Sequence, residues 1–179
     1  ISAEVLKDAI TDVLSAAHIS EIRPEISGIL LDIGLDSIKF VATDSFRLAE
    51  RVVYIPQFST NFQKGFRVIL PLRTAQEIIR IFQNKTTVNI FVDPNQILFV
   101  SPDTEFLSRV IDGQYPEYEQ IIPATNETEL TVQRELFASA LRLVGSFSGK
   151  GGEVKMRIGE GGKELEIYAA NQYVGENIY

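Results

Sequence analysis

The chain has 179 residues, of which 45% are hydrophobic and 23% charged, and its formal net charge is −7. That balance suits one large globular domain, or one domain and part of another, and gives no support for broad electrostatic adhesion to nucleic acid. With no cysteine, no tryptophan and one histidine (His18), it excludes disulfides and thiolate chemistry, lacks a zinc ligand set, and leaves any catalytic triad resting on a single imidazole.

Residues 3–17 carry Val5, Leu6, Ala9, Ile10, Val13, Leu14 and Ala17 at helical spacing behind Ser2 as N-cap, which predicts an amphipathic helix ending near His18. A loop over 19–26, held extended by Arg23-Pro24, precedes strands at 28–33 and 37–43 joined around Gly34 and Asp36. A third strand spans 47–55 and stops at Pro56. A polar loop over 57–65 leads to a strand at 66–70. Pro71 then begins a second helix through about Gln83, with Ala75, Ile78, Ile79 and Phe82 on its apolar face, ended by Asn84-Lys85. Strands follow at 87–92, 96–101 and 104–111. An irregular loop, Asp112-Gly113-Gln114-Tyr115-Pro116-Glu117-Tyr118, runs into Ile121, Ile122 and Pro123. Residues 124–129 are short and polar and read as a linker. Beyond them come a strand at 130–132, a third helix bearing Leu136, Phe137, Ala140, Leu141 and Val144, a loop over 145–152, and strands at 154–158 and 164–169.

The order is a strand cut short at residue 1, a helix and three strands, then strand, helix and three strands, then a new beginning after the linker. Residues 167–173 echo residues 40–46. One helix per three or four antiparallel strands makes the fold α+β, built of repeated β-α-β-β-β half-units with the helices on one face of the sheets. The expected division is a domain over 1–123, a linker over 124–129 and an incomplete domain over 130–179.

Residues 43–48 interrupt two apolar runs with polar side chains that no core requires. They read equally as a β-turn cornered on Asp44 and Ser45 or as an exposed functional corner. The glycine-rich loop at 145–151 fails the phosphate-loop pattern in spacing, lacks the Ser or Thr that would hold magnesium, and follows a helix. Asp32, Asp36, Asp44, Asp93, Asp103 and Asp112 are scattered at turns and strand ends, so the chain reads as no enzyme. The rival is a small-ligand or metal-dependent enzyme using Asp44, Asp112 and Arg47. Arg73 and Arg80 share one face of the second helix, and Arg134 and Arg142 one face of the third. Those faces are either ordinary solvated surfaces or a weakly basic stripe that would touch phosphates without reading sequence.

Three separated motifs then occur in order: Arg23-Pro24-Glu25-Ile26-Ser27-Gly28-Ile29-Leu30, Thr43-Asp44-Ser45-Phe46-Arg47-Leu48-Ala49, and Ile111-Asp112-Gly113-Gln114-Tyr115-Pro116-Glu117-Tyr118 with Ile122-Pro123. Together they closely resemble the bacterial sliding clamps, the β subunit of DNA polymerase III. The resemblance covers the whole chain and implies the DNA-clamp fold, with residues 1–123 as the clamp's middle domain and 130–179 as the first half of its third. It implies a cytoplasmic, non-catalytic processivity factor without cofactor, metal or membrane contact. The intact protein would be a homodimeric ring around double-stranded DNA.

The same resemblance implies partners, among them the replicative polymerase and the clamp loader, that insert a Gln-Leu-x-Leu-Phe-like peptide. The matching positions are Ile26, Thr43, Ser45, Phe46, Arg47, Leu48, Pro116, Gln120 and Ile121. Ile26, Leu48, Pro116 and Ile121 would wall an apolar socket, with Thr43 and Arg47 polar at its rim. Ile26 and Leu48 also read as plain core. The implied DNA contacts are Arg23, Arg73, Arg80, Arg134, Arg142 and Lys150. The chain departs from the family's common Gly-His at Ser45-Phe46, and from a frequent basic residue at Gln120.

Overall fold

The computed structural model describes residues 1–82, 86–148, 152–171 and 175–178. The chain divides into two units, residues 1–121 and 122–179, so the division falls just before the expected domain end at 123.

In the first unit, α1 (Ala3–Leu14) begins where Ser2 Oγ accepts from the Val5 amide at 3.2 Å. It ends earlier than the expected 17. The amides of Ala16 and Ala17 bond back only three residues, to Val13 and Leu14, and the tightened turn leaves His18 exposed beyond it. Strands β1 (Gly28–Ile33), β2 (Ser37–Thr43), β3 (Leu48–Tyr54) and β4 (Phe66–Pro71) form one antiparallel sheet in the order β3-β2-β1-β4. Pro71 closes β4 and serves as N-cap of α2 (Leu72–Ile81), so the helix starts one residue later than its proline suggests. Its expected end at 83–85 lies outside the described residues. Strands β5 (Asn89–Val92), β6 (Gln96–Ser101) and β7 (Thr104–Arg109) form a second antiparallel sheet. Two expected strand ends are single bridges instead: Thr87 pairs with Ser2, and Ile111 with Ile69. After β7 the chain thus leaves its own sheet and crosses to the first one.

The two helices and the inner faces of both sheets share one core. Leu6, Ile10, Val13, Ala75, Ile78 and Phe82 meet Ile29, Leu31, Phe40, Val53 and Leu70 of the first sheet and Ile97 and Phe99 of the second. Strand side chains alternate, so the residues between these point to the opposite face. On the first sheet that outer face is graded in rows. Arg67, Asp32 and Lys39 lie side by side, then Ile69, Leu30, Val41 and Glu50, then Thr43 beside Leu48. The apolar middle row cannot remain in water, where each large side chain forgoes on the order of 2 kcal/mol of burial. It is covered by Tyr115 and Tyr118. β1 is therefore buried on both faces, which accounts for its unbroken run Ile29-Leu30-Leu31.

The second unit contains α3 (Arg134–Gly145), β8 (Lys155–Ile158), β9 (Leu165–Asn171) and β10 (Gly175–Ile178), with sheet order β10-β9-β8. Ala140 and Val144 pack on Ile167 and Ala169. The expected strand at 130–132 does not form; Leu130 and Val132 are exposed and find no ladder partner among the described residues. The echo of residues 40–46 ends at Gln172 and Tyr173, outside the described residues. No helix among the described residues is long and apolar enough to cross a membrane.

Candidate functional site

The turn between β2 and β3 is built by two side chains that satisfy its backbone. Thr43, the last residue of β2 and only 7% exposed, donates Oγ1 to the Arg47 carbonyl at 2.8 Å and accepts the Ser45 amide at 3.1 Å. Asp44 Oδ1 accepts the amides of Phe46 (3.0 Å) and Arg47 (2.9 Å), while Oδ2 accepts from Arg47 Nε at 3.1 Å. The Arg47 and Phe46 amides, with the Arg47 guanidinium, hold the Asp44 carboxyl below the usual carboxylate range. Its oxygens are committed to this turn, which is the local chemistry expected of an Asx corner.

Ser45 has φ 76°, the left-handed region that glycine occupies without steric cost. Its hydroxyl is met by Arg23 Nη1 at 3.3 Å, and Arg23 Nε donates to Glu25 Oε1 at 3.1 Å. Arg23 is thereby placed beside this turn. What the turn offers to solvent is Phe46, 98% exposed, and the exposed Arg47. A phenyl ring held out on a hydrogen-bonded corner contributes nothing to the core.

Next to the turn, residues 110–121 lie as a strap over the outer face of the first sheet. The strap is anchored where the Ile111 amide donates to the Ile69 carbonyl at 2.9 Å. Gly113, at φ 147°, lets it pass Glu25, whose Cβ would crowd any side chain there. Tyr115 and Tyr118 then turn inward, ring centroids 6.5 Å apart and edge-on at 79°. Together with Leu30, Val41 and Ile69 they form a second small core, onto which Leu48 and Ile111 pack. The Tyr115 hydroxyl donates to the Val41 carbonyl at 3.4 Å, and the Tyr118 hydroxyl to Glu50 Oε2 at 2.6 Å. Burial pushes the Tyr115 phenol up to about 12, against a smaller opposing contribution from the Thr43 backbone. Burial, and then the Glu50 carboxylate, raise Tyr118 further. At the rim, Lys39 Nζ and Glu119 Oε1 pair at 2.5 Å, raising the lysine and lowering the carboxyl. Arg67 spans Asp32 at 2.8 Å and Glu117 at 3.7 Å.

The structure therefore brings Thr43, Ser45, Phe46, Arg47 and Leu48 together on one turn, and sets Pro116 between the two tyrosines that pack near Leu48. Ile26 sits in a 3-10 turn (Pro24–Ile26) and is 4% exposed. Gln120 and Ile121 end a second 3-10 turn (Tyr118–Ile121), both exposed, Ile121 at 70%. A cleft of about 260 Å³ opens on the other side of Tyr115, lined by Leu30, Arg67, Ile69 and Asp112 among others, and includes none of the nine expected positions. The residues that sequence reasoning missed are Tyr115, Tyr118, Lys39 and Glu50. The Tyr-x-x-Tyr spacing was visible, but nothing local tied it to a strand ~70 residues earlier.

Of the expected DNA contacts, Arg73 and Arg80 are exposed on α2 and Arg134 and Arg142 on α3. Arg80 is engaged by Glu77 at 2.7 Å, whereas Arg73, Arg134 and Arg142 make no ion pair among the described residues. Lys150 lies outside the described residues. Among the described residues no three His, Cys, Asp or Glu side chains gather where they could hold a metal ion.

Antiparallel sheets backed by helices, repeated as half-units, define this as an α+β protein of the DNA-clamp fold. The crystal structure of the DNA polymerase sliding clamp from Bacillus subtilis superposes at TM-score 0.91 with 26% identity, covering 100% of this chain and 47% of that one. A DnaN sliding clamp (DNA polymerase III subunit beta) from Bartonella birtlesii, bound to griselimycin, matches at TM-score 0.86 and 28% identity, covering 100% and 48%. The beta sliding clamp of Staphylococcus aureus is 28% identical over 176 residues, 98% of this chain and 46% of that protein. The pattern of the DNA polymerase III beta subunit, central domain, matches residues 1–117, and the chain belongs to that family. It spans about half the length of the relatives it matches.

Proposed function

We propose that the chain is part of a sliding clamp: a cytoplasmic, non-catalytic processivity factor that encircles duplex DNA and tethers the replicative polymerase. Residues 1–123 act as its middle domain, 124–129 as the linker and 130–179 as the beginning of its third domain. The intact protein closes as a homodimeric ring. Exposed arginines on the helices, Arg73 and Arg80 on α2 and Arg134 and Arg142 on α3, contact phosphates without reading bases, and Lys150 joins them. Polymerase, clamp loader and other partners dock a Gln-Leu-x-Leu-Phe-like segment at Ile26, the 43–48 turn, Pro116, Gln120 and Ile121.

The observation that carries this reading is the turn itself, locked by Thr43 and Asp44 so that Phe46 and Arg47 face solvent, while Leu48 packs on the tyrosine pair that flanks the half-buried Pro116. A preformed apolar and cationic corner of this kind suits a short peptide with Leu and Phe anchors, because little order has to be created on binding. The relative that binds griselimycin supports a ligand site on clamps of this fold. Arg23, hydrogen-bonded to Ser45, belongs in this reading to the peptide corner as much as to the DNA contacts.

Titration of a fluorescent Gln-Leu-x-Leu-Phe-type peptide tests it. Saturable binding is expected, weakened about tenfold by Arg47→Ala or Pro116→Ala, the size typical of a contact at the centre of a small interface. Absence of saturable binding at high micromolar peptide overturns the peptide-site assignment.

A further inference from the structure

The strap that carries Pro116, Gln120 and Ile121 has no ladder to keep it in register beyond the Ile111–Ile69 bridge. Residues 112–121 are held to the sheet by side chains. Besides the packing of the two rings on Val41 and Leu48, side-chain hydrogen bonds reach the hairpin β2–β3, whose tip is the 43–48 turn. Tyr115 reaches β2 at the Val41 carbonyl, Tyr118 reaches β3 at Glu50, and Glu119 reaches β2 at Lys39.

They differ in kind. The Tyr115 contact is long at 3.4 Å, and that ring is held chiefly by burial. The Lys39–Glu119 pair is solvent-exposed, where ion pairs contribute little. The Tyr118–Glu50 bond is short at 2.6 Å and runs from a buried phenol to the exposed Glu50 side chain. Burial and the neighbouring carboxylates raise the phenol, so it remains a donor throughout the physiological range. Glu50 stands on the same outer face of β3 as Leu48 of the peptide corner. Tyr118 opens the 3-10 turn that ends in Gln120 and Ile121. This hydrogen bond therefore links the two halves of the proposed peptide site.

We infer that Tyr118, through its hydrogen bond to Glu50, is a positioning residue for the partner-peptide site: it sets the distance between the Pro116–Ile121 wall and the Phe46 corner without itself touching the peptide. The inference rests on the peptide-site reading above. A looser strap leaves the binding-ready spacing populated only part of the time, which lowers apparent affinity by that fraction.

The test is a peptide titration on the full 179-residue chain with Tyr118→Phe, Glu50→Leu, Glu50→Gln and the double variant Tyr118→Phe/Glu50→Leu, paired with hydrogen exchange at the Tyr118 and Gln120 amides in the free protein. Gln at position 50 still offers an oxygen to the phenol, whereas Leu does not. Tyr118→Phe and Glu50→Leu are each expected to weaken binding about tenfold and to speed exchange at both amides. Glu50→Gln stays near the parent, and the double variant is no worse than either single change. Parent-like binding by Tyr118→Phe overturns the inference and leaves the peptide site standing. So does an equal loss in Glu50→Gln and Glu50→Leu, which would mark charge or general stability as the cause. No binding by the parent chain overturns both.

Discussion

A single residue type explains why the outer face of the first sheet is a structured surface. Two tyrosines bury their rings on Leu30, Val41 and Ile69 and place their hydroxyls on backbone and carboxylate oxygens, which a pair of phenylalanines could not do. Burial penalises the ionised phenol, so the Tyr115 value of about 12 lies above the ordinary 10. A group shifted upward in the fold contributes stability that is complete below its unfolded value and is lost as the pH rises through the folded one. The strap is therefore expected to hold up to about pH 10 and to loosen between pH 10 and 12. Tyrosinate absorbance recorded together with near-ultraviolet circular dichroism checks this. The Tyr115→Phe chain should lose less stability than the parent across that interval, and an identical alkaline loss would refute the assignment.

At the level of elements, the critical contact is the close approach of β1 and β4. Gly28 pairs with Pro71, and a Cβ at Gly28 would run into the carbonyl oxygen of Leu70. Both strands must shift to admit it, and they carry the inner core on one face and the Leu30–Ile69 row on the other. Gly28→Ala is expected to cost about 1–3 kcal/mol, the usual range for forcing volume into a packed interior, read as a lower urea midpoint at unchanged slope. A neutral result would show that β4 can move independently of the core. The same reasoning explains where periodicity was a sufficient guide and where it was not. Strand β2 and helix α1 follow from alternation and helical spacing within their own residues, and β1 and β6 from short unbroken apolar runs. The strand expected at 130–132 does not form because a run as short as Leu130-Thr131-Val132 becomes a strand only when a neighbour presents free backbone groups.

On the scale of the whole molecule, net charge and local charge point in opposite directions. An overall −7 repels DNA at long range, so any affinity must come from a few exposed arginines at short range. The proposed lining accordingly predicts weak, salt-sensitive binding to duplex DNA without sequence preference. Arg73→Ala should reduce the slope of log affinity against log salt by about one. Arg80→Ala should reduce it less, because Glu77 already neutralises that guanidinium at 2.7 Å. Fluorescence anisotropy across a salt series measures both slopes, and tight sequence-specific binding would contradict the proposal.

What the amino-acid sequence determined by itself is the α+β half-unit pattern, the run that makes β1 a doubly buried strand, and the motifs at 23–30, 43–49 and 111–118 that mark the family. The strand and the motifs are written within ten or so neighbouring residues, and the half-unit pattern in the order of such local elements. Only the tertiary structure decided that Thr43 and Asp44 spend their polar atoms on the turn while Phe46 is left in water. Only it brought Arg23 to Ser45, and joined Tyr118 to a carboxylate 68 residues away in the chain. The physical reason is that alternation tells a side chain which face of a sheet it will occupy. What covers that face is settled by long-range packing, as the apolar row Ile69, Leu30 and Val41 takes its shelter from whichever distant segment can reach it.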